Sequence, residues 1–296
     1  MTCVTEGKSF NAKVLAIAER IKQARSGAPE MHIFRRCGTP HCLTFQTAIF
    51  LFFAGALGGA LNAVAGGGSF ISFPALLFSG VEPIAANATN TVALWVGVTA
   101  STGAYRRHLD LSRRVMIPMV ITSLIGGVAG AFLLLKTPAQ TFLHVLPWLM
   151  LGATLLFVLG PRLSRSTNGL SADISTRALA FATVFELVVA VYGGYFGGGI
   201  GILNLAMLAV VGMTDIHAMN ALKVVLGGII NGVAVVTFIV AGAVVWKQAG
   251  VMIAGAMLGG YAGAHYAQKL PQQWIRAFVI AVGTGMTTYF FWKAYA

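Results

Sequence analysis

The sequence predicts an all-α, polytopic integral membrane protein of two homologous halves, each with about four transmembrane helices plus one half-helix. Three observations carry this. Only 9% of the 296 residues are charged and 57% are hydrophobic, at a mean hydropathy of +0.80, whereas soluble domains carry roughly 25% charged residues. Eight apolar runs are each long enough to cross a bilayer, which takes about 20 residues. A set of short motifs also returns after 131 to 133 residues.

Taken in order, residues 1–43 read as a basic N-terminal extension. Lys8, Lys13, Arg20, Lys22 and Arg25 interrupt any signal-peptide core. Phe10, Val14, Ile17 and Ile21 recur at helical spacing behind Ser9, a possible N-cap. The stretch suits a cytoplasmic amphipathic helix on anionic lipid, or else the native start is Met31. Cys3, Cys37 and Cys42 all precede the first apolar run, and so few thiols make no disulfide framework.

The first membrane repeat is expected over 44–160, a cytoplasmic linker over 161–174 and the second repeat over 175–296. The long apolar runs lie at about 43–64, 84–104, 115–135, 140–160, 175–196, 216–241, 246–267 and 274–294. Phe70–Phe78 and Ile200–Val211 are half that length, and each follows a triple glycine. Gly66-Gly67-Gly68 aligns with Gly197-Gly198-Gly199, and Gly126-Gly127-x-Ala129-Gly130-Ala131 with Gly259-Gly260-x-Ala262-Gly263-Ala264. Lys136-x-Pro138-x-Gln140 aligns with Lys269-x-Pro271-x-Gln273. Several blocks in order and nearly in register mark an internal duplication.

The net charge of +12 is confined to segments between apolar runs, the pattern of charge-biased membrane loops and not of a nucleic-acid surface. With four crossings per half, parallel halves and both termini cytoplasmic, sixteen of the twenty Lys and Arg fall on the inner side. Five crossings per half would invert the repeats and export either the arginine loops at 106–114 and 162–177 or the basic tail. The four-plus-four arrangement in a cell inner membrane is the expectation.

An anion leaving water needs donors, and helix N-termini supply N–H groups and partial positive charge. Glycine lets backbone come close to a ligand, and discontinuous helices at a repeat interface are where transporters bind substrate. Gly66, Gly67, Gly68, Ser69, Gly197, Gly198 and Gly199 are therefore candidate binding residues. These glycines could serve close packing alone, as Gly126-xxx-Gly130, Gly228-xxx-Gly232 and Gly259-xxx-Gly263 are expected to do; two breaks at equivalent places favour a site.

Asn87, Thr89, Asn90 and Thr91 form a polar cluster inside a spanning run, costly unless it lines a cavity or bonds across helices. Asn220 and Lys223 are its counterparts, with Lys223 in the place of Thr91. Lys223 could attract the anion, snorkel or pair with an acid. Glu186 is the one acid deep in an apolar run; it could carry a coupling proton or pair with Lys223. No metal-ligand spacing, catalytic triad or phosphate loop is present, so neither an enzyme nor a cofactor is expected.

The stretch from Gly66-Gly67-Gly68-Ser69-Phe70 through Pro74-Ala75-Leu76 and Gly80-Val81-Glu82-Pro83 to Ala86-Asn87-Ala88-Thr89-Asn90 resembles the signature of the TauE/SafE sulfite exporter family. Gly197-Gly198-Gly199-Ile200-Gly201 with Gly212 and Ala218-Met219-Asn220-Ala221 does so in the second half, and the likeness covers roughly 44–295. It implies a secondary permease for sulfite, an organosulfonate or another small anion, driven by an ion gradient; the expected partners are that anion, the lipid bilayer, a coupling proton or ion and, as an open option, a second copy of the chain. Leu205 in place of Pro74, Lys223 where small or hydroxyl residues are usual, and the basic tail depart from that pattern. The competing reading is a membrane-embedded subunit or enzyme that transports nothing.

Overall fold

A computed structural model describes residues 43–64, 66–102, 113–164, 176–210, 216–266 and 272–295. The N-terminal extension, and most of the expected linker, lie outside the described residues. Among the described residues ten helices follow one another: α1 (Phe45–Val64), α2 (Ser69–Phe78), α3 (Pro83–Thr102), α4 (Arg113–Lys136), α5 (Ala139–Ser164), α6 (Thr176–Tyr195), α7 (Ile200–Val210), α8 (Ile216–Val240), α9 (Trp246–Tyr266) and α10 (Gln272–Tyr295). Eight have 20 to 26 residues, a length of about 30 Å or more at 1.5 Å per residue. The short α2 and α7 have 10 and 11. Segments Phe45–Ala63, Val115–Lys136, Ala139–Leu159 and Leu222–Val240 are long and apolar enough to cross a membrane on composition alone.

The outward faces are apolar: Phe53, Leu57, Ile125, Val184, Val188, Val236 and Leu258 are all exposed. Water would not tolerate that surface, and hydrocarbon does. Trp246, Trp274, Trp292 and Tyr295 are exposed at helix ends, where the membrane–water interface favours amphipathic rings. The protein is a multi-pass membrane protein.

Inside lipid no hydrophobic force drives helix against helix, so contact rests on close packing of small residues. Two seams supply it. A Cβ on Gly255, Gly259 or Gly263 of α9 would strike the backbone of Phe52, Ala56 or Ala60 of α1. A Cβ on Gly126 or Gly130 of α4 would strike Leu187 and Ala190, or Val191 and Tyr195, of α6. These contacts correspond one for one under the spacing read from the motifs: Gly259 with Ala56 becomes Gly126 with Leu187, and Gly263 with Ala60 becomes Gly130 with Val191. The first helix of each half is thus clasped by the fourth helix of the other. The halves interlock.

Contacts also fix the direction of each helix. Gly55 meets Met252 and Gly59 meets Ala256, so α1 and α9 are parallel, as are α4 and α6 by the contacts above. Val245 N donates to Thr89 Oγ1 while Gly97 meets Ala256, which makes α3 parallel to α9. Trp95 Nε1 donates to Gly228 O at 3.0 Å, which ties α3 to α8 across the halves. Trp148 Nε1 donates to Tyr295 Oη and Arg276 Nη2 to Phe157 O, so α5 and α10 are antiparallel. Helices α1 and α3 therefore run the same way, and the segment containing α2 carries the chain back between them. Helices α6 to α10 repeat the course in the opposite sense.

The parallel four-plus-four arrangement is therefore corrected to an inverted one, although each half does hold four long helices and one short one. The charge count misled because it weighed seven basic residues of the N-terminal extension together with the arginine loops. The start of α1 and the end of α10 lie at one end of the bundle. Arg113, Arg114, Arg162 and Arg177, near the facing ends of α4, α5 and α6, lie at the other. The expected Gly228-xxx-Gly232 contact differs too. Nothing lies near a Cβ on Gly228, and Gly232 receives the side chain of Trp95.

Two outcomes test this. In a chain freed of Cys3, Cys37 and Cys42, a cysteine at Ala294 and one replacing Arg114 should react with an impermeant maleimide from opposite faces of the membrane; reaction from one face would refute the helix directions. Gly259→Val and Gly130→Val should each lower the melting temperature in detergent by several degrees, as overpacking costs about 1–3 kcal/mol. Gly250→Ala, with nothing within 4 Å of its Cβ, should leave it unchanged.

Candidate functional site

Each half's first helix ends on a glycine that no other residue replaces without strain. Gly66 has φ +76° and Gly197 φ +79°, the left-handed conformation in which helices end. The Gly66 amide donates to the carbonyls of Leu61 (3.1 Å) and Asn62 (3.2 Å), and Phe196 and Gly197 donate to Tyr192 O. The chain then enters α2 or α7 at once. Phe70 N donates to Gly67 O, Ile71 and Ser72 to Gly68 O, and Ile202 and Leu203 to Gly199 O, so the glycine turns cap the two short helices, whose heads carry the positive end of the dipole.

Both turns close onto α5. A Cβ on Gly67 would come within 3.1 Å of Phe157 Cζ and 2.7 Å of Val279 Cγ1. One on Gly199, itself at φ +79°, would stand 3.4 Å from Ala153 Cβ. Ala153 and Phe157 are one helical turn apart, so the heads of both short helices meet the same stretch of α5. Gly68 is pressed on the Gly58 carbonyl of α1, and Gly198 lies 2.7 Å from the Phe196 ring by the same measure. Gly198 O accepts from Tyr192 Oη at 2.8 Å.

The polar cluster on α3 reaches outward in several directions. Ser72 Oγ donates to Asn90 Oδ1 at 2.5 Å and lies 2.9 Å from Gly68 O; Asn90 Nδ2 donates to Ser69 Oγ at 3.3 Å. Asn90 thereby locks the first turn of α2. Asn87 Nδ2 donates to Tyr195 O at 3.0 Å, two residues before Gly197, while its Oδ1 is buried without a partner. Thr89 holds the backbone entering α9, and Thr91 Oγ1 bonds Asn87 O of its own helix. Asn87 and Asn90 thus brace one turn each. Thr89 and Thr91 belong to the helix frame.

In the second half the side chain of Asn220 lies outside the described residues. The alkyl chain of Lys223 runs 3.4–3.9 Å from the Cβ position of Gly201, in the first turn of α7. Glu186 is fully buried, and its Oε1 accepts from Ser123 Oγ of α4 at 2.6 Å. Its Oε2 has no hydrogen-bond partner, so Ser123 is the hydrogen-bond partner seen here. The seam equivalence is telling: Glu186 stands where α1 has Gly55, and Ser123 where α9 has Ala256. One seam packs glycine on backbone there, and the other holds a carboxylate on a hydroxyl.

Sequence reasoning missed Ser72, Ser123, Tyr192 and Asn204. Asn204 is fully buried on α7 with both polar atoms unpartnered, and a lone amide in an apolar half-helix was a readable signal. Ser72, one turn beyond Gly68, was another. Nothing in the sequence singled out Ser123 or Tyr192. Among the described residues no group of three His, Cys, Asp or Glu side chains could hold a metal ion.

Known proteins agree on the class. The family described as "Sulfite exporter TauE/SafE" matches residues 51–290. The "Probable membrane transporter protein ORF9" of a Sinorhizobium species is 29% identical over 82% of this chain and 92% of its own length. A "Probable membrane transporter protein" of Haemophilus influenzae is 28% identical over 80% of this chain and 91% of its own. The "Probable membrane transporter protein YfcA" of Escherichia coli K12 is also 28% identical, over 80% of this chain and 87% of its own. No solved structure matches the chain. With a match across nearly the whole described bundle, this chain is a membrane transporter and belongs to the TauE/SafE sulfite exporter family.

Proposed function

We propose that the chain is a secondary transporter for a small anion, sulfite or a related organosulfonate or small organic anion, working by alternating access. The observation that carries this is the closure of two glycine-turned short-helix heads, one from each inverted half, onto Ala153 and Phe157 of α5. Two such heads offer an anion closely approachable glycine backbone and partial positive charge without a fixed cation on each side. Inverted halves can exchange conformations, which opens one common site to either face in turn.

In this reading the backbone at Gly67, Gly68, Ser69, Gly198 and Gly199 receives the anion, and Gly66 and Gly197, whose amides bond the helix before them, shape the two turns. Asn90 and Asn87 hold the two turns in place, Thr89 and Thr91 stiffen the helix between them, and Lys223 with Asn220 adds charge and polarity beside α7. Sulfite is the substrate of choice because the family description names it. The helix directions put the arginine loops on the opposite face from the start of α1 and the end of α10; we assign those loops to the cytoplasmic face of a bacterial-type inner membrane on their own charge, in place of the expected cytoplasmic termini. Glu186 is the candidate carrier of a coupling proton: its bond to Ser123 crosses from one half to the other, so a proton gained or lost there alters the grip between them.

Flux into proteoliposomes should be measured for sulfite, sulfoacetate, sulfate and acetate. Sulfite or sulfoacetate should move fastest, and no uptake of any of the four would overturn the reading. Lys223→Met should raise the apparent Km about ten- to a hundredfold with expression retained, for loss of a charge-assisted contact of about 1.5–3 kcal/mol. An unchanged Km would remove Lys223 from the site. Glu186→Gln should lose gradient-driven accumulation yet keep counterflow exchange, which needs no net proton movement; accumulation at the normal level would leave Glu186 a structural partner of Ser123.

A further inference from the structure

We propose that the hydroxyl of Thr154, on α5, is the side-chain donor of the anion site, placed to bond an oxyanion held between the two glycine turns. The inference rests on the reading of that site given above and names a residue that neither the sequence motifs nor the repeat pattern singled out.

Thr154 is 6% exposed, and its Oγ1 is buried with no hydrogen-bond partner. A threonine inside a helix ordinarily bonds the carbonyl one turn back. Thr91, Thr122, Thr183, Thr237 and Thr287 do so here. Thr287 is the counterpart of Thr154 at the repeat spacing of 133, and it bonds Gly283 O at 2.6 Å. Among the described buried threonines, Thr89, Thr91 and Thr287 have partners and Thr154 does not. Its hydroxyl lacks the bond that the other three make.

The direction it faces is set by its neighbours. Thr154 Oγ1 stands 2.7 Å from where Gly283 of α10 would carry a Cβ, and Phe70, in the first turn of α2, closes the same point at 3.6 Å. The preceding residue, Ala153, supports Gly199 at the head of α7, and Phe157 supports Gly67 before the head of α2. The unpartnered hydroxyl therefore lies against α10 beside the first turn of α2, on the residue that follows Ala153, the support of the α7 head, and within one turn of Phe157. Such a group in an apolar interior is costly when left unpaired and is expected to meet a partner. An oxyanion with several acceptor oxygens can take this O–H while other oxygens take backbone N–H groups from either turn.

The test uses the purified full-length chain in proteoliposomes and sodium sulfite as probe, with sulfite-dependent thermal stabilisation measured in detergent. Thr154→Val, which keeps the shape and removes the donor, should raise the apparent Km about tenfold and abolish the sulfite-dependent stabilisation. Without sulfite, its own melting temperature should be no lower than that of the parent. Thr154→Ser should stay within about twofold of the parent. A normal Km and normal stabilisation in Thr154→Val would overturn the proposal, and so would equal impairment of the Val and Ser variants, which marks a packing role. If Thr154→Val fails to accumulate, Thr154→Ala is read by the same criteria. Gly199→Val in the same assay separates the two levels. Loss of uptake there beside a normal Thr154→Val removes Thr154 alone, whereas a parent protein that neither binds nor moves sulfite removes the site itself.

Discussion

The fold depends on backbone meeting backbone along two parallel seams, α1 with α9 and α4 with α6. Lipid tails are as apolar as leucine, so burying leucine against leucine gains little inside a membrane. What remains is dispersion between atoms that touch, and it is greatest where side chains are absent. Gly255, Gly259 and Gly263 in one seam, and Gly126, Gly130 and Gly194 in the other, bring carbonyls into direct contact with the opposing helix. Because each seam joins one half to the other, neither half has a complete packing surface by itself. The core follows that rule, for Phe73 and Phe142 of the first half share one buried cluster with Phe196 and Phe238 of the second.

Interlocking has a consequence for the broken helices. A break exposes backbone groups that lipid cannot satisfy, so it survives only where protein surrounds it. The turn at Gly66 and Gly67 is closed by α5 and α10 where Phe157 and Val279 meet Gly67, and the turn at Gly197 to Gly199 by α5 where Ala153 meets Gly199. Asn90 and Asn87 then tie α3 to both. Each turn is thus walled by helices of the other half as well as its own, or by α5, which touches both. A relative shift of the halves cannot leave these turns undisturbed, and on the proposed reading this is how packing and site are linked in alternating access.

Much of this was legible in the sequence because the physics is local. A triple glycine breaking an apolar run can be read directly, and so can glycines four apart, since their effects reach only one turn. Helix direction was not legible. Whether a ten-residue helix turns back or carries the chain across depends on what lies beside it, and the charge pattern that should have decided was dominated by an N-terminal extension. The individual roles of the α3 amides were hidden for the same reason: Asn87 and Asn90 differ in what they bond, a carbonyl 108 residues away and a hydroxyl in the adjacent short helix. Type and spacing showed that polar side chains stood in a spanning helix, and only packing showed where each one points.

The two halves agree in packing and disagree in polarity. Where one carries Gly55 the other carries Glu186; where one carries Phe73, packed against Phe142 and Phe196, the other carries the unpartnered Asn204; where one carries Thr91 the other carries Lys223. A duplicated scaffold with identical polar groups in both halves would have two states of equal energy and no preferred response to an ion. Every one of these replacements puts charge or hydrogen-bonding capacity into the second half, on helices α6, α7 and α8, while the small-residue contacts that let the halves fit together are kept. On the proposed reading, symmetry in the seams keeps the two access states close in energy, and the polar asymmetry lets a proton at Glu186 or an anion near Lys223 favour one of them. A ligand moves such an equilibrium only by as much as its affinity differs between the two states, and on that reading the polar asymmetry is what gives a bound proton or anion a preferred state.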